Sequence, residues 1–359
     1  MGFLNLRKKE SFLGVDLGTT SIKLVEIENK GGIPTLLTYG YAEKAVGDFI
    51  KGESEEARKN AVELLKKLYK KSGAKSHKVY GALPNFAVFN SIINLPVMSK
   101  KELTSAIQWE AKKFIPLPIE DVILDWKIVE QFTNNHQEVD SDGKTKMINR
   151  RDYKILLIAA SKKLVQKFID IFREADLQLL SLETESFAMA RSLITKDERV
   201  VMIVDSSALT TDIIILEKGI PYISRSIDVG GISLTKTLAE RMGLDYEAAE
   251  QFKKDAGFKR DEFASQIITQ SFQPVINEVQ YSLHLYQNQT NKNVEKIILS
   301  GGSAYLPGLP EYIAEVLNLK VFIGDPWAKI AYPLELKPAL TAVAPRFSVA
   351  LGLALRGFE

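Results

Sequence analysis

The chain has no cysteine, so neither a disulfide framework nor a thiolate metal site is open to it. That fits a reducing compartment. Histidine is scarce: His77, His136 and His284 stand far apart, which argues against a histidine-rich metal site or a histidine-centred triad. No apolar run is long enough to span a bilayer. The start, MGFLNLRKKE, has no apolar h-region of a secretory signal. It also lacks the Ser or Thr expected at the sixth position of a myristoylation signal. Charge of one sign is missing too. There are 47 Lys and Arg against 45 Asp and Glu, a net charge of +2, so nothing electrostatic calls for nucleic acid. What remains is an ordinary soluble, globular composition, 45% hydrophobic and 26% charged over 359 residues, enough for two or more domains.

One internal repeat decides the architecture. The first copy is FLGVDLGTTSIKLVEI, from Phe12 to Ile27, followed by a turn and Gly32-Ile-Pro34. The second is VMIVDSSALTTDIIILE, from Val201 to Glu217, followed by Gly219-Ile-Pro221. Asp205 stands in the second copy where Asp16 stands in the first. Each copy reads strand, tight turn, strand, turn, strand, with the β-branched content of a buried sheet. A repeat spaced half a chain apart implies two like-folded halves rather than a solenoid.

Helices surround these hairpins. Ala57, Ala61, Leu64, Leu65 and Leu68 form a stripe that Gly73 ends. Ser99 and Glu102 form a capping box for a helix ending near Pro116. Its apolar stripe is Leu103, Ala106, Ile107 and Phe114, and Trp109 lies off it. Residues 122–131 and 154–160 read as strands, with a loose polar tip between them. Residues 161–175 form an amphipathic helix, and 232–291 are mostly helical. The small-residue, apolar C-terminal helix RFSVALGLALRGF suits burial better than a membrane.

Asp16-Leu-Gly-Thr-Thr-Ser invites comparison with a phosphate loop. It is not GxxxxGK[ST], and it leads into a strand, not the helix that a dinucleotide fingerprint opens. A hairpin turn still serves: the backbone N–H groups of Gly18, Thr19 and Thr20 converge on an anion. Asp16 is placed to hold Mg²⁺ through water, and Lys23 is within reach of a phosphate oxygen. By pattern alone this is also compatible with a plain turn, but its repetition at Asp205 suggests two hairpins clamping one polyphosphate. Leu299-Ser-Gly301-Gly302-Ser303 allows a flat ring or phosphate against the backbone, or is simply a strand-to-helix turn. Glu250 and Lys253 share a helix face, which by pattern alone suits a solvated ion pair.

In this order, the hairpins, AExxK helix and GG turn resemble the superfamily of actin, heat-shock chaperones and sugar kinases. The resemblance implies an α/β, actin-like ATPase fold with two ribonuclease-H-like halves and ATP with Mg²⁺ between them. It implies nucleotide contacts at Asp16, Gly18, Thr19, Thr20, Lys23, Asp205, Ser207, Ala208, Thr210, Gly230, Gly231, Glu250, Lys253, Gly301, Gly302 and Ser303. It implies Mg²⁺ at Asp16 and Asp205, with Glu185 orienting the attacking water and Asp205 beside it as catalytic groups. Ser207 departs from the superfamily's usual glycine, and Asp212 stands where the first copy has Lys23, so ATP binding is better supported than fast hydrolysis.

Residues 85–175 resemble the inserted 1C subdomain of FtsA-type proteins. Within them, SIINLPVMSKKELTSAIQWEAKKFIPLPIEDVILDW is similar to the PilM family of type IV pilus assembly proteins, as is EVQYSLHLYQ before IILSGGSAYLPGLP. The implied boundaries are 1–84 for the first part of subdomain 1A, 85–175 for 1C and 176–199 for the connecting helix of 1A. Subdomain 2A takes 200–231 and 293–336, subdomain 2B takes 232–292, and 337–359 is the C-terminal helix of 1A. The implied partner is the N-terminal cytoplasmic segment of PilN, docked in a groove of the first and inserted subdomains, with Ile92, Leu95 and Trp109 as contacts. Trp109 packing within its own chain is the alternative. Pilus assembly ATPases and the platform protein are further implied partners. The location is cytoplasmic, with the membrane reached only through a partner, apart from weak contact through Met1 to Lys9. An FtsA-like scaffold is an alternative, although FtsA carries an amphipathic tail after the helix that here ends at Leu355-Arg-Gly-Phe-Glu. A small-molecule kinase is another, although no carboxylate base stands at the expected place.

Overall fold

The computed structural model describes residues 10–18, 20–43, 50, 54–139, 145–195, 199–259 and 263–359, with the backbone alone for 135–139 and 145–148. Thr19 and the segment Met1 to Lys9 lie outside the described residues. The chain divides into two compact units, Ala87–Lys167 and the remainder.

The larger unit holds two sheets. The first comprises β1 (Ser11–Leu17), β2 (Ser21–Lys30), β3 (Ile33–Glu43), β4 (Lys78–Leu83) and β8 (Gln178–Thr184), in the order β3-β2-β1-β4-β8. The second comprises β9 (Val201–Ser206), β10 (Thr211–Glu217), β11 (Ile220–Ile227), β12 (Lys296–Ser300) and β13 (Lys320–Ile323), in the order β11-β10-β9-β12-β13. The two orders are the same: an antiparallel three-strand meander, then two parallel strands. The register also repeats, with Asp16 opposite Lys23 and Asp205 opposite Asp212. The repeat in the sequence is thus a repeat of topology.

Helix α1 (Glu55–Ser72) begins where Ser54 accepts a hydrogen bond from the Ala57 N–H. It stops at Gly73, whose φ of 70° is open to glycine at little cost. The second sheet carries α5 (Gly231–Met242), α6 (Tyr246–Ala256), α7 (Phe263–Thr290) and α8 (Leu309–Leu317), which share one core with Met202, Val204, Ile213 and Ile215. Between the sheets run α4 (Glu185–Leu193) and α10 (Ser348–Leu355), with α9 (Lys337–Val343) ahead of α10. The stretch Leu334–Phe358 is apolar enough by composition to cross a membrane, with a mean hydropathy of 1.4. Yet every residue of α10 is buried, as expected for a core helix that is apolar all round. Val349 and Leu353 face the second sheet's Ile203 and Ile214, whereas Ala350, Leu351 and Ala354 face the first sheet's Val25 and Ile27.

Close contact requires small residues there. A Cβ on Gly352 would stand 1.9 Å from the Ala188 carbonyl oxygen, and one on Gly14 would stand 2.1 Å from that of Ala350. Arg191, at the end of α4, fixes the joint by binding Glu183 at 2.6 Å, the Gly352 carbonyl at 2.9 Å and Glu359 at 2.7 Å.

The smaller unit is a three-stranded antiparallel sheet, β5-β7-β6, of β5 (Val88–Pro96), β6 (Val122–Val139) and β7 (Thr145–Ser161). Helix α2 (Lys100–Ala111) covers one face, and α3 (Lys162–Glu174) leaves the sheet at its end. The capping box of Ser99 and Glu102 is present. Leu103, Ile107 and Ala111 pack on Ile93, Ile155 and Leu157. Two expectations change. Phe114 is 48% exposed because the helix stops at Ala111, and Ile115 takes the core position. The polar tip is not loose either: β6 and β7 pair from Val122 to Val139, since a ladder of backbone hydrogen bonds does not need apolar side chains.

Substituting Gly352 by Ala should destabilise the protein by about 3 kcal/mol or more, because backbone rather than a flexible side chain must move. Denaturant titration checks this, and an unchanged midpoint would mean that the helices separate freely.

Candidate functional site

The two tight turns are built alike. In the first, the Gly18 N–H donates to the Ser21 carbonyl at 3.0 Å; in the second, the Ser207 N–H donates to the Thr210 carbonyl at 2.9 Å. A Cβ on Gly18 would lie 2.9 Å from that carbonyl oxygen. Ser207 manages the same crowding by turning its hydroxyl onto the Thr210 carbonyl at 3.0 Å. The side chain therefore folds onto its own turn.

A cavity of about 370 Å³ brings the expected residues together. Asp16, Gly18, Thr20 and Lys23 line it from the first sheet, and Asp205, Ser207, Ala208 and Thr210 line it from the second. Glu185, Gly231, Glu250, Lys253, Gly301, Gly302 and Ser303 complete the expected set. Gly230 stands behind the wall, where a Cβ would strike the Ala208 carbonyl group at 2.7 Å.

The glycines divide by role. Gly301, with φ of 83°, abuts the Ser206 backbone, where a Cβ would come within 2.3 Å of an oxygen, so the fold itself needs glycine. Gly302 is different. A Cβ there meets only the Arg346 Nε, at 3.9 Å, so its bareness serves the cavity.

Glu250 and Lys253 are not a solvated pair. Lys253 is buried, and its Nζ donates to Glu250 at 2.6 Å, Thr235 at 2.8 Å and the Gly231 carbonyl at 3.0 Å. Burial lowers the Lys253 pKa against the opposing pull of Glu250. Burial pushes Glu250 the other way, but the hydrogen bonds from Lys253 and Thr235 outweigh it and hold that carboxyl below its ordinary range. Lys23 is committed too: its Nζ lies 2.9 Å from Asp16 and does not stand free for a phosphate.

The remaining carboxyls are crowded. Burial pushes Glu185 well above its ordinary pKa, and Asp212, Asp16 and Asp205 add like-charge repulsion, opposed by the Asn85 N–H at 2.9 Å. Burial also raises Asp205, against the Ser300 hydroxyl and Lys23. Asp212 is pushed up to about 7 by burial, with Asp205 adding to the effect, although Ser226 and Asn85 donate to it. Asn85 is the hub: its amide group also accepts from the Ser186 hydroxyl at 2.6 Å. The sequence gives no sign of Asp212, Glu43 or Arg346 as wall residues, or of Asn85 behind them, because their partners lie far along the chain. Only the mismatch between Asp212 and Lys23 in the repeat pointed this way.

Among the described residues, no three His, Cys, Asp or Glu are grouped to hold a metal unaided. Two carboxylates in a polar cavity suit a cation that keeps its waters and takes other ligands from a phosphate, the usual mode of Mg²⁺. The expected protein contacts at Ile92, Leu95 and Trp109 do not form one wall. Leu95 packs on the α2 side of its sheet with Ile93, Ile92 points to the other side, and Trp109 is 65% exposed with the Lys113 ammonium 4.0 Å above its ring.

Because Asp212 and Glu185 bind protons more tightly folded than unfolded, the ligand-free protein should lose stability as pH rises from about 4 through about 7. Asp212→Asn retains both hydrogen bonds by accepting from Asn85 and donating to Ser226. It should flatten that fall and stabilise the protein at pH 8 by about 2 kcal/mol. Melting at pH 5 to 8 checks this, and parallel profiles for both proteins would contradict it.

A family model described as type IV pilus assembly protein PilM matches residues 14–358. A solved PilM-PilN type IV pilus biogenesis complex contains a chain that is 27% identical, with a TM-score of 0.81, covering 97% of this chain and 98% of that one. Cell division protein FtsA of Bacillus subtilis is 22% identical over 241 residues, 60% of this chain and 54% of FtsA, so the match spans about half of that relative. MreB5 of Spiroplasma citri, solved with AMPPNP, shares the fold at 14% identity and a TM-score of 0.52, covering 98% and 96% of the two chains. The repeated halves, the inserted sheet and the match over nearly the whole length agree: the chain belongs to the PilM family of type IV pilus assembly proteins, with an actin-like fold.

Proposed function

We propose that this chain binds ATP with Mg²⁺ in the cavity between its two repeated turns, and that it docks the N-terminal cytoplasmic segment of PilN. It thereby couples an inner-membrane assembly to the cytoplasmic pilus machinery from the cytoplasmic side. The observation that carries the nucleotide reading is the pair of like-built turns, one from each half, on a single cavity. Asp16 and Asp205 would hold the metal through water. The Gly18 N–H is taken by the Ser21 carbonyl, contrary to the expectation from the sequence, so the Thr20 N–H of the first turn, with Ala208 and Thr210 of the second, would face the phosphates. Ser303, Glu250 and Lys253 would face the nucleoside beside the open edge of Gly302. MreB5, which shares the fold, was solved bound to AMPPNP, so AMPPNP is a natural probe.

Turnover should be slow. Burial and three neighbouring carboxyls disfavour the charged form of Glu185, the form that accepts from water, and the Asn85 N–H already occupies one of its oxygens. Nucleotide then works as a conformational ligand, favouring the closed arrangement of the halves through its differential affinity. Gly302→Val should abolish measurable ATP binding in calorimetry while leaving the melting temperature intact, because its added atoms meet open space. Unchanged ATP affinity in that variant would refute the site. Phosphate release well below about 1 s⁻¹ is expected, against a typical enzyme at about 10 s⁻¹. Fast release that disappears in Glu185→Gln would refute slow turnover.

For PilN, the relevant feature is β5, which pairs only with β7 among the described strands and so presents an edge. An extended peptide adding to such an edge would set alternate side chains toward the Ile92 and Leu95 faces. Trp109 supplies an exposed aromatic anchor on the same unit. Trp109→Ala should weaken a PilN N-terminal peptide by more than about 1 kcal/mol in fluorescence anisotropy without changing ATP binding. Unaltered peptide affinity in the folded variant would remove Trp109 from the interface.

A further inference from the structure

Among the described residues, six carboxyl groups line the cavity: Asp16, Glu43, Glu185, Asp205, Asp212 and Glu250. Four cations stand against them: Lys23, Lys253, Lys254 and Arg346. A polyphosphate entering this cavity with its metal brings more negative charge, so any side-chain cation that meets it must come from an existing pair. The four differ sharply in what that exchange would cost.

Lys23 cannot leave cheaply. Its partner Asp16 has a side chain only 9% exposed, and an abandoned buried carboxylate is strongly unfavourable. Lys253 is 8% exposed and holds three partners at once, including the Gly231 carbonyl. Lys254 is 60% exposed on α6 and already solvated, so it has little to gain. Arg346 is the exception. Its guanidinium pairs with Glu43, whose side chain is 52% exposed and rehydrates readily when released. It lies over the Tyr41 ring, 5.4 Å from the centroid, which keeps the side chain extended into the cavity. Its Nε reaches the bare edge of Gly302. The neighbouring Pro345 carbonyl accepts from the Gly301 N–H at 3.1 Å and from the Ser300 hydroxyl at 3.0 Å, so its base is tied to the glycine turn.

We infer that Arg346 is a further nucleotide ligand, a guanidinium that leaves Glu43 for a phosphate group when the nucleotide enters. The inference rests on the nucleotide reading of the cavity. A planar guanidinium can bind phosphate through two parallel hydrogen bonds, which an ammonium cannot. Glu43 is therefore a competitor, and its removal should help binding.

The test is calorimetric titration of the full chain with ATP and Mg²⁺. Arg346→Ala should weaken binding about tenfold, the effect of losing a charge-assisted hydrogen bond, and Arg346→Lys should recover part of it. Glu43→Gln should tighten binding about threefold or more by releasing Arg346 from its competitor. Glu43 is half-exposed, so this variant carries the test even if Arg346→Ala folds poorly. Wild-type binding that is unchanged or strengthened in Arg346→Ala, or unchanged or weakened in Glu43→Gln, overturns the inference and leaves the nucleotide site standing. No binding by the wild type overturns the site itself, and the inference with it.

Discussion

Both halves pack against α10, which itself lies in close contact with α4 and β1. Gly352 and Gly14 let backbone touch backbone there, and no side chain fits in between. Each half keeps its own sheet, and α10 contributes one face to each. The start of α10 continues this joint to the cavity. Ser348 accepts from the Ser300 hydroxyl at 2.9 Å, and the Pro345 carbonyl binds the Gly301 N–H. A shift of one half against the other would therefore also move the glycine turn against the segment that carries Arg346. Packed joints of this kind favour discrete arrangements over continuous deformation.

Above this joint the cavity is electrostatically unfinished. Desolvation raises Glu185, Asp205 and Asp212 together, and Lys23 compensates for only part of the crowding. A divalent cation bound with a phosphate would answer both deficits, since it screens the carboxyls and is itself held by the phosphate oxygens. The same feature limits chemistry. Burial that disfavours the charged carboxylate also disfavours its use as a base, which is the ground for the slow turnover proposed above. The inserted unit is a small sheet whose β5 edge pairs with no further described strand, and it exposes Trp109.

Much of this was legible in the sequence because the informative signals are local. The Asp-turn hairpins fit within some sixteen residues each, so their strands, register and turns follow from composition and spacing. The helix caps at Gly73 and Ser99 are likewise short-range. What the sequence concealed is long-range. Asn85 binds Asp212 127 residues away, and the Arg346–Glu43 pair joins the two ends of the first half. The apolar stripe runs on to Phe114, past Ala111 where the helix stops. The far part of the β6–β7 hairpin is a ladder satisfied by its own backbone, which leaves no apolar pattern to read.

The central claim is that the two like-built turns act on one ligand. Hydrogen–deuterium exchange with and without ATP and Mg²⁺ tests it most directly, since it reads both halves in one experiment. Protection should appear together at residues 16–21, 205–212 and 301–303, at one ligand concentration. Protection confined to one half, or none at saturating nucleotide, would contradict the account.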